Sequence, residues 1–223
     1  VIAMPLVLIG LIAAHILALH EVGSNNPDGV EIKKHKDPVT GHPLDGIPFH
    51  PYYSVKDMVG VVVFLMVFSA IVFFAPEGGG YFLEYNNFLP ADPLKTPSHI
   101  APVWYFTPFY SILRAMVWPI FGLDAKFWGV VAMGASVVII AFLPWLDKSP
   151  VKSIRYRGPI YKNFLTVFVI AFVILGYLGT QPPSFWGEKV SQVCSLIYFG
   201  FFLLMPWYSK VDKFTPEPER VTM

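Results

Sequence analysis

Two histidines lie within and at the end of one long apolar run. His15 is inside the run, where an ionisable side chain is costly to bury unless it has a partner or a function. A neutral imidazole nitrogen in dry surroundings can bind haem iron, so His15 is a candidate metal ligand. The alternative is an imidazole that hydrogen-bonds to a neighbouring helix. Small residues nearby leave room for a flat macrocycle: Gly10, Ala13, Ala14 and Ala18.

His20 cannot readily share a metal with His15, because five residues of a regular helix turn it some 140° away. It lies beside polar residues that include Ser24, and it can act as a cation that the helix C-terminus favours. Lys56 and Asp57 come just before another apolar run. These charges either belong to a solvated helix start or, together with His20, surround one polar headgroup and exchange protons with it.

Membrane-spanning helices are the elements that must carry these residues. Of the 223 residues, 55% are hydrophobic and 14% are charged, more apolar surface than a soluble domain can bury. A spanning helix needs roughly 20 mostly apolar residues. Five spans are predicted, at residues 1–20, 57–74, 126–145, 163–179 and 187–208. We therefore predict an all-α integral membrane protein, a bundle of about five transmembrane helices.

Charge supports this span count and excludes other classes. With five spans, loops 21–56 and 146–162 share one side with the C-terminal tail and hold twelve of the sixteen Lys and Arg residues. The cation-rich side is expected to be cytoplasmic, in a bacterial inner membrane. A net charge of +1 gives no basic field for nucleic acid, and the single Cys194 excludes a disulfide framework. The chain starts at Val1 inside apolar sequence, and we interpret it as part of a longer chain.

The long non-cytoplasmic loop, residues 76–124, is too long for a simple connector and too apolar for disorder. Residues 102–118 are expected to form a short surface helix. Its bulk is apolar and aromatic, with one cation, Arg114. Such a helix should cover something that is shielded from water but reachable by a lipid-soluble ligand.

Segments along nearly the whole chain resemble cytochrome b. Residues 19–27 (LHEVGSNNP) resemble its LHETGSNNP, and residues 50–57 (HPYYSVKD) resemble its HPYYxxKD. Residues 92–105 (DPLKTPSHIAPVWY) resemble its NPLxTPxHIxPEWY. Residues 110–114 (YSILR) match its YAILR, and residues 146–157 match its basic loop. The segments occur in the family's order.

The resemblance implies that His15 is the axial ligand of a high-potential haem b near the cytoplasmic side. The intact subunit of this family holds two haems b. The same helix should carry a second histidine about four turns earlier, at or before Val1, and the helix with the opposite ligands is absent. A piece of this extent should therefore neither hold haem properly nor be active alone.

The resemblance also implies two sites for ubiquinone and ubiquinol. The quinone-reducing site is matched by His20, Ser24, Lys56 and Asp57. The quinol-oxidising site is matched by Pro102, Val103, Trp104, Tyr105 and Tyr110. One electron of the quinol is expected to reach a Rieske iron–sulfur protein, and the other the haems. The implied partners are that protein, a cytochrome c-type haem subunit and the rest of cytochrome b, in a dimeric complex within the lipid membrane.

One position departs from the family pattern. The glutamate of PEWY, which is usually assigned a role in removing a quinol proton, is Val103 here. Valine cannot accept a proton, so either another residue takes this role or the usual assignment is incomplete. Glu84 is our candidate, because it lies in the aromatic run of residues 80–85 and a carboxylate suits the task. A solvated loop carboxylate is the alternative.

Two rival functions make different predictions. The smaller subunit of the naturally split photosynthetic relative should lack both the His15 helix and the Gly23–Asn26 turn. A transporter or channel without a redox role should place charged or strongly polar residues near the middle of several spans. The third and fourth predicted spans have nothing stronger than Ser136 and Thr166 there, which argues against it.

Overall fold

The computed structural model describes residues 2–78, 83, 85–97 and 100–222. Within these residues the regular structure is helical, and pairing between extended segments is limited to isolated bridges. The α-helices are α1 (Ala3–Val22), α2 (Tyr52–Phe74), α3 (Thr107–Ala115), α4 (Ala125–Val138), α5 (Leu143–Leu146), α6 (Pro159–Thr180), α7 (Phe185–Leu203) and α8 (Met205–Val211). The all-α prediction is confirmed.

Four helical segments are long and apolar enough to cross a membrane. They are α1, α2, the segment Ala125–Leu146 and α6. The count becomes five if α7 and α8 together form one bent span. The described residues thus bear out the predicted membrane bundle of about five helices.

Helix boundaries differ from those predicted by hydropathy. Helix α2 begins at Tyr52, five residues before the predicted start. Lys56 and Asp57 therefore lie inside its second turn and not before it. Hydropathy identifies the part of a helix that lies in hydrocarbon, whereas the hydrogen-bonded helix continues into the polar boundary.

Two prolines interrupt segments that were each predicted as one span. A 3-10 turn at Ile139–Phe142 separates α4 from α5, immediately before Pro144. Leu204 separates α7 from α8, whose second residue is Pro206. Proline lacks an N–H and its ring clashes with the carbonyl four residues earlier, so a regular helix breaks just before it.

The chain forms two compact units. The first comprises residues 1–46, 147–164 and 206–223, and the second comprises residues 47–146 and 165–205. Helix α1 in the first unit and α2 in the second have no buried side chain. Apolar helices with this exposure need lipid or further helices around them.

The core of the second unit is aromatic. Phe168 of α6 stacks on Phe201 of α7, with ring centroids 4.4 Å apart, and Tyr198 lies 5.3 Å from Phe168. The Tyr198 hydroxyl donates a hydrogen bond of 2.7 Å to the backbone oxygen of Ser136 in α4. These contacts join α4, α6 and α7 into the platform on which α3 lies.

Candidate functional site

Helix α3 lies unusually close to its neighbours, at two glycines. A Cβ atom on Gly129 of α4 would lie 2.7 Å from the backbone oxygen of Leu113. A Cβ atom on Gly179 of α6 would overlap the backbone oxygen of Thr107. Any larger residue at either position would push α3 away. These glycines fix the depth of the helix that carries Tyr110.

The segment before α3 presents its aromatic side chains outward. Trp104 and Tyr105, in a 3-10 turn that ends at Phe106, are 81% and 62% exposed, and Val103 is 57% exposed. The Thr107 hydroxyl donates a 2.7 Å hydrogen bond to the Trp104 oxygen, which joins this turn to α3. The predicted short helix is therefore present, although it ends at Ala115 and not at residue 118. The structure brings Val103, Trp104 and Tyr105 together in one exposed turn next to α3, while Pro102 is half-buried.

A cavity of about 470 Å³ lies between α3 and the start of α7. The side chains of Tyr110 and Arg114 form its α3 wall, and the other lining residues are Pro183, Ser184, Phe185, Glu188 and Ser191. The Arg114 guanidinium lies 5.4 Å from the centre of the Tyr110 ring and donates a 2.9 Å hydrogen bond to the Gln181 oxygen. Arg114 thus fixes the Tyr110 ring against the chain that leads into α7.

Polar groups on α7 extend from this cavity, and the sequence interpretation missed them. Glu188 Oε1 accepts hydrogen bonds from Lys189 Nζ at 3.3 Å and from Gln192 Nε2 at 3.2 Å. Gln192 Nε2 also donates to the Ala115 oxygen at 3.2 Å. One signal could have found this network: Glu188 and Lys189 fall inside the predicted fifth span, where charges are costly.

A buried pair of hydroxyls joins the same two helices. Ser111 Oγ of α3 and Ser191 Oγ of α7 are 3.0 Å apart, and both residues are buried. One hydroxyl donates to the other, so that each has a hydrogen-bond partner, which a dry contact between helices requires. The pair fixes the register of α3 against α7 at the edge of the cavity.

The His15 side chain is exposed on α1 and makes no hydrogen bond to another described residue. Its predicted role as an iron ligand stays a prediction. At about 100° per residue, Ala18 shares the face of His15, whereas Gly10 and Ala13 lie more than about 130° away. Of the four small residues, Ala18 alone therefore shares the face of His15, and the room for a macrocycle stays a prediction.

The predicted quinone-reducing residues divide between the two units. His20, in the last turn of α1, and Ser24 are exposed in the first unit, where Lys33 Nζ donates a 2.5 Å hydrogen bond to the Glu21 oxygen. Lys56 and Asp57 are exposed in the second unit, on α2. Their convergence on one headgroup stays a prediction. Glu84 lies outside the described residues, and its predicted role is likewise untested.

Asp28 is the centre of a polar cluster that the sequence did not indicate. It is fully buried in the first unit, and its carboxylate accepts hydrogen bonds from Arg155 Nη1 at 3.1 Å and from the Tyr156 hydroxyl at 2.9 Å. The N–H and the hydroxyl of Thr222 each donate to Asp28 Oδ2 at 2.9 Å. These donors, the Thr222 N–H first, lower the pKa of Asp28 to about 2. The cluster anchors the C-terminal tail.

Comparison with known proteins gives concordant matches. The family described as Cytochrome b(C-terminal)/b6/petD matches residues 90–199. Cytochrome b of Allochromatium vinosum is 57% identical over 98% of this chain and 53% of its own length, and that of Rickettsia bellii is 41% identical over 98% and 50%. A chain of a hyperthermophilic respiratory Complex III superposes with a TM-score of 0.79 at 36% identity, over 95% of this chain and 49% of that one. The chain spans about half the length of the curated relatives it matches.

Proposed function

The chain belongs to the cytochrome b family, and from this membership we propose that it serves in the membrane subunit of a respiratory quinol–cytochrome c oxidoreductase. One observation carries the proposal: the family's Pro-x-Trp-Tyr segment lies exposed beside a helix that is fixed against two glycines and borders a 470 Å³ cavity. A lipid-soluble quinol needs apolar and aromatic surface such as the exposed Trp104–Tyr105 turn offers, with polar groups nearby to orient it.

In this proposal quinol oxidation takes place at Pro102, Val103, Trp104, Tyr105 and Tyr110. Trp104 and Tyr105, whose rings meet edge to face at 5.6 Å, offer aromatic surface to a quinol ring. The Tyr110 hydroxyl offers a hydrogen bond to a quinol oxygen. Since Arg114 and the glycine contacts hold α3 in place, Tyr110 is positioned before a ligand arrives.

Quinone reduction is assigned to His20, Ser24, Lys56 and Asp57, on the side that we propose to be cytoplasmic. His20 and Asp57 can exchange protons with a quinone that accepts electrons, and Lys56 can attract its developing negative charge. Ser24 can donate to a carbonyl oxygen. The proposed net result is proton release on one side of a bacterial inner membrane and proton uptake on the other.

His15 is proposed to hold a haem b from the α1 side, through its ring nitrogen. When bound, haem supplies one-electron transfer across the membrane, and a subunit of this family holds two. The proposed partners are the remainder of cytochrome b, a Rieske iron–sulfur protein and a cytochrome c-type haem subunit, in a dimeric complex.

His15→Leu in the full-length protein tests the proposal. It should remove the high-potential haem signal from the reduced-minus-oxidised spectrum and leave membrane insertion intact, because leucine suits an apolar helix. Ile16→Leu, the next residue of the same helix, is the matched control and should leave the spectrum unchanged. An unchanged spectrum and haem content in His15→Leu would refute the ligand role.

A further inference from the structure

We propose that the cavity between α3 and α7 is the route by which protons leave the quinol-oxidising site, and that Glu188 is its proton relay. The inference rests on the proposed function, because only quinol oxidation would deliver protons there. Nothing in the motifs of the sequence points to Glu188, and it follows from the geometry of the cavity.

The chemistry requires a base near this site. Oxidation of a hydroquinone to a quinone breaks two O–H bonds and releases two electrons and two protons. The electrons pass to the iron–sulfur and haem acceptors of the proposed function, whereas each proton must bind an oxygen or nitrogen base. Val103, on the exposed turn before α3, offers neither. The proton therefore needs an acceptor elsewhere along the wall that Tyr110 shares.

Among the residues that line the cavity, Glu188 is the one acidic side chain, and it faces the same space as Tyr110. Its Oε1 atom is held by Lys189 and Gln192, and the carboxylate therefore has a fixed orientation. No described residue donates a hydrogen bond to Oε2, which leaves this atom able to accept a proton. The side chain is 35% exposed, so the proton can pass on to solvent.

Charged and titratable side chains on both α3 and α7 lie around Glu188. Arg114 faces the cavity from α3, and Lys189 follows Glu188 on α7. Tyr110 is the other titratable side chain on the wall. Ser184 caps α7 by accepting a 3.1 Å hydrogen bond from the Gly187 N–H, and Glu188 is in the first turn, where the helix dipole favours negative charge.

The relay consists of two balanced steps. A hydroxyl O–H bond of the quinol breaks as an O–H bond forms on the Glu188 carboxylate, through hydrogen-bonded water in the cavity. The proton then leaves the carboxyl group for solvent, and the restored carboxylate takes up the second quinol proton by the same two steps. No electron is transferred in either step.

Glu188→Gln in the full-length protein, assembled in its complex, tests the relay. Steady-state quinol oxidation should fall at least about tenfold, and the acidic limb of its pH profile should flatten, since general bases contribute about 10²–10⁴-fold. Quinone reduction on the opposite side should stay at the parental rate. Glu188→Asp should restore part of the rate with a displaced acidic limb. Glu77→Gln, the same charge change at an exposed residue after α2, should behave like the parent.

Other outcomes would overturn the relay. A parental rate and pH profile in Glu188→Gln exclude it, and a loss in Glu84→Gln without one in Glu188→Gln assigns the role to Glu84. If Glu188→Gln complexes fail to assemble, as judged by haem content, the pH profile of quinol oxidation in Glu188→Asp is the test. A displaced acidic limb supports the relay, and an unchanged acidic limb excludes it. A parent complex that oxidises no quinol refutes the proposed function instead.

Discussion

A single added methyl group at Gly129 should displace the helix that carries Tyr110. In Gly129→Ala the new Cβ would lie 2.7 Å from the Leu113 oxygen, whereas ordinary contact begins at 3.4 Å, so α3 must retreat by about 0.7 Å. Overpacking of this kind costs about 1–3 kcal/mol. Replacing glycine by alanine inside a helix stabilises the helix by about 1 kcal/mol. The net effect on stability is therefore a loss of about 0–2 kcal/mol.

Activity should respond more strongly than stability does. A displacement of about 1 Å can cost about 100-fold in rate, so a 0.7 Å retreat of α3 is expected to slow quinol oxidation on the order of tenfold. The assay is steady-state quinol oxidation by the assembled complex, with thermal inactivation measured in parallel. Gly134→Ala, on the same helix with no atom within 4 Å of its added Cβ, is the control and should keep the parental rate. Equal rates in both variants would refute the positioning role of the α3–α4 contact.

Three further predictions concern other parts of the chain. His20→Ala should slow reoxidation by quinone of the haem that we propose on the cytoplasmic side and should spare quinol oxidation. An equal loss of both half-reactions would indicate a folding defect. Asp28→Asn should free the C-terminal tail and make it sensitive to protease at neutral pH, because the charge that Thr222 binds is gone. In the parent, the pKa of Asp28 is lowered to about 2, so its charge stabilises the folded tail fully above the ordinary carboxyl pKa of about 3.9. This stabilisation is lost as pH falls from about 3.9 through about 2. Cleavage of the tail by an acid-active protease should therefore rise only over this pH range. Ser111→Ala and Ser191→Ala should each lower the free energy of unfolding by about 1–3 kcal/mol, because each leaves one buried hydroxyl unpaired. The double variant should lower it by clearly less than the sum of the two, which a double-mutant cycle of thermal unfolding would measure.

The fold class could be predicted from the sequence because bilayer thickness sets a length for every spanning helix. Apolar runs of about 20 residues located the helices even though their ends differ. The breaks before Pro144 and Pro206 could have been predicted from proline alone, since the missing N–H and the ring clash act locally. Hydropathy alone does not reveal these breaks, because the residues on both sides of each break are apolar and form one continuous apolar run.

Small residues from Gly129 to Ser136 indicate a close helix contact in the third predicted span, but the sequence does not show that α3 is the partner or that Gly179 also contacts it. Gly129 and Gly179 are two among 17 glycines, and nothing in their local sequence distinguishes them from Gly134, which lies in open space. A glycine's role at a helix contact depends on which backbone lies opposite, a property of tertiary packing. The Asp28 cluster is similar, because its donors are about 130 to 190 residues away along the chain.

Two charged residues fall inside the predicted fifth span, and they mark a place where the hydropathy boundary differs from the structure. A span predicted to begin at Gly187 places Glu188 and Lys189 in hydrocarbon, where two adjacent charges would be costly. Helix α7 instead begins at Phe185, so both residues occupy its first turns, where Glu188 lines the cavity beside Tyr110 and Lys189 lines a separate, apolar pocket. The cost is avoided because Gln192 and the Ala115 oxygen continue the hydrogen-bond network toward α3. A charge that conflicts with a hydropathy boundary therefore indicates a polar environment that accommodates it, and for Glu188 this environment is the cavity whose wall carries Tyr110.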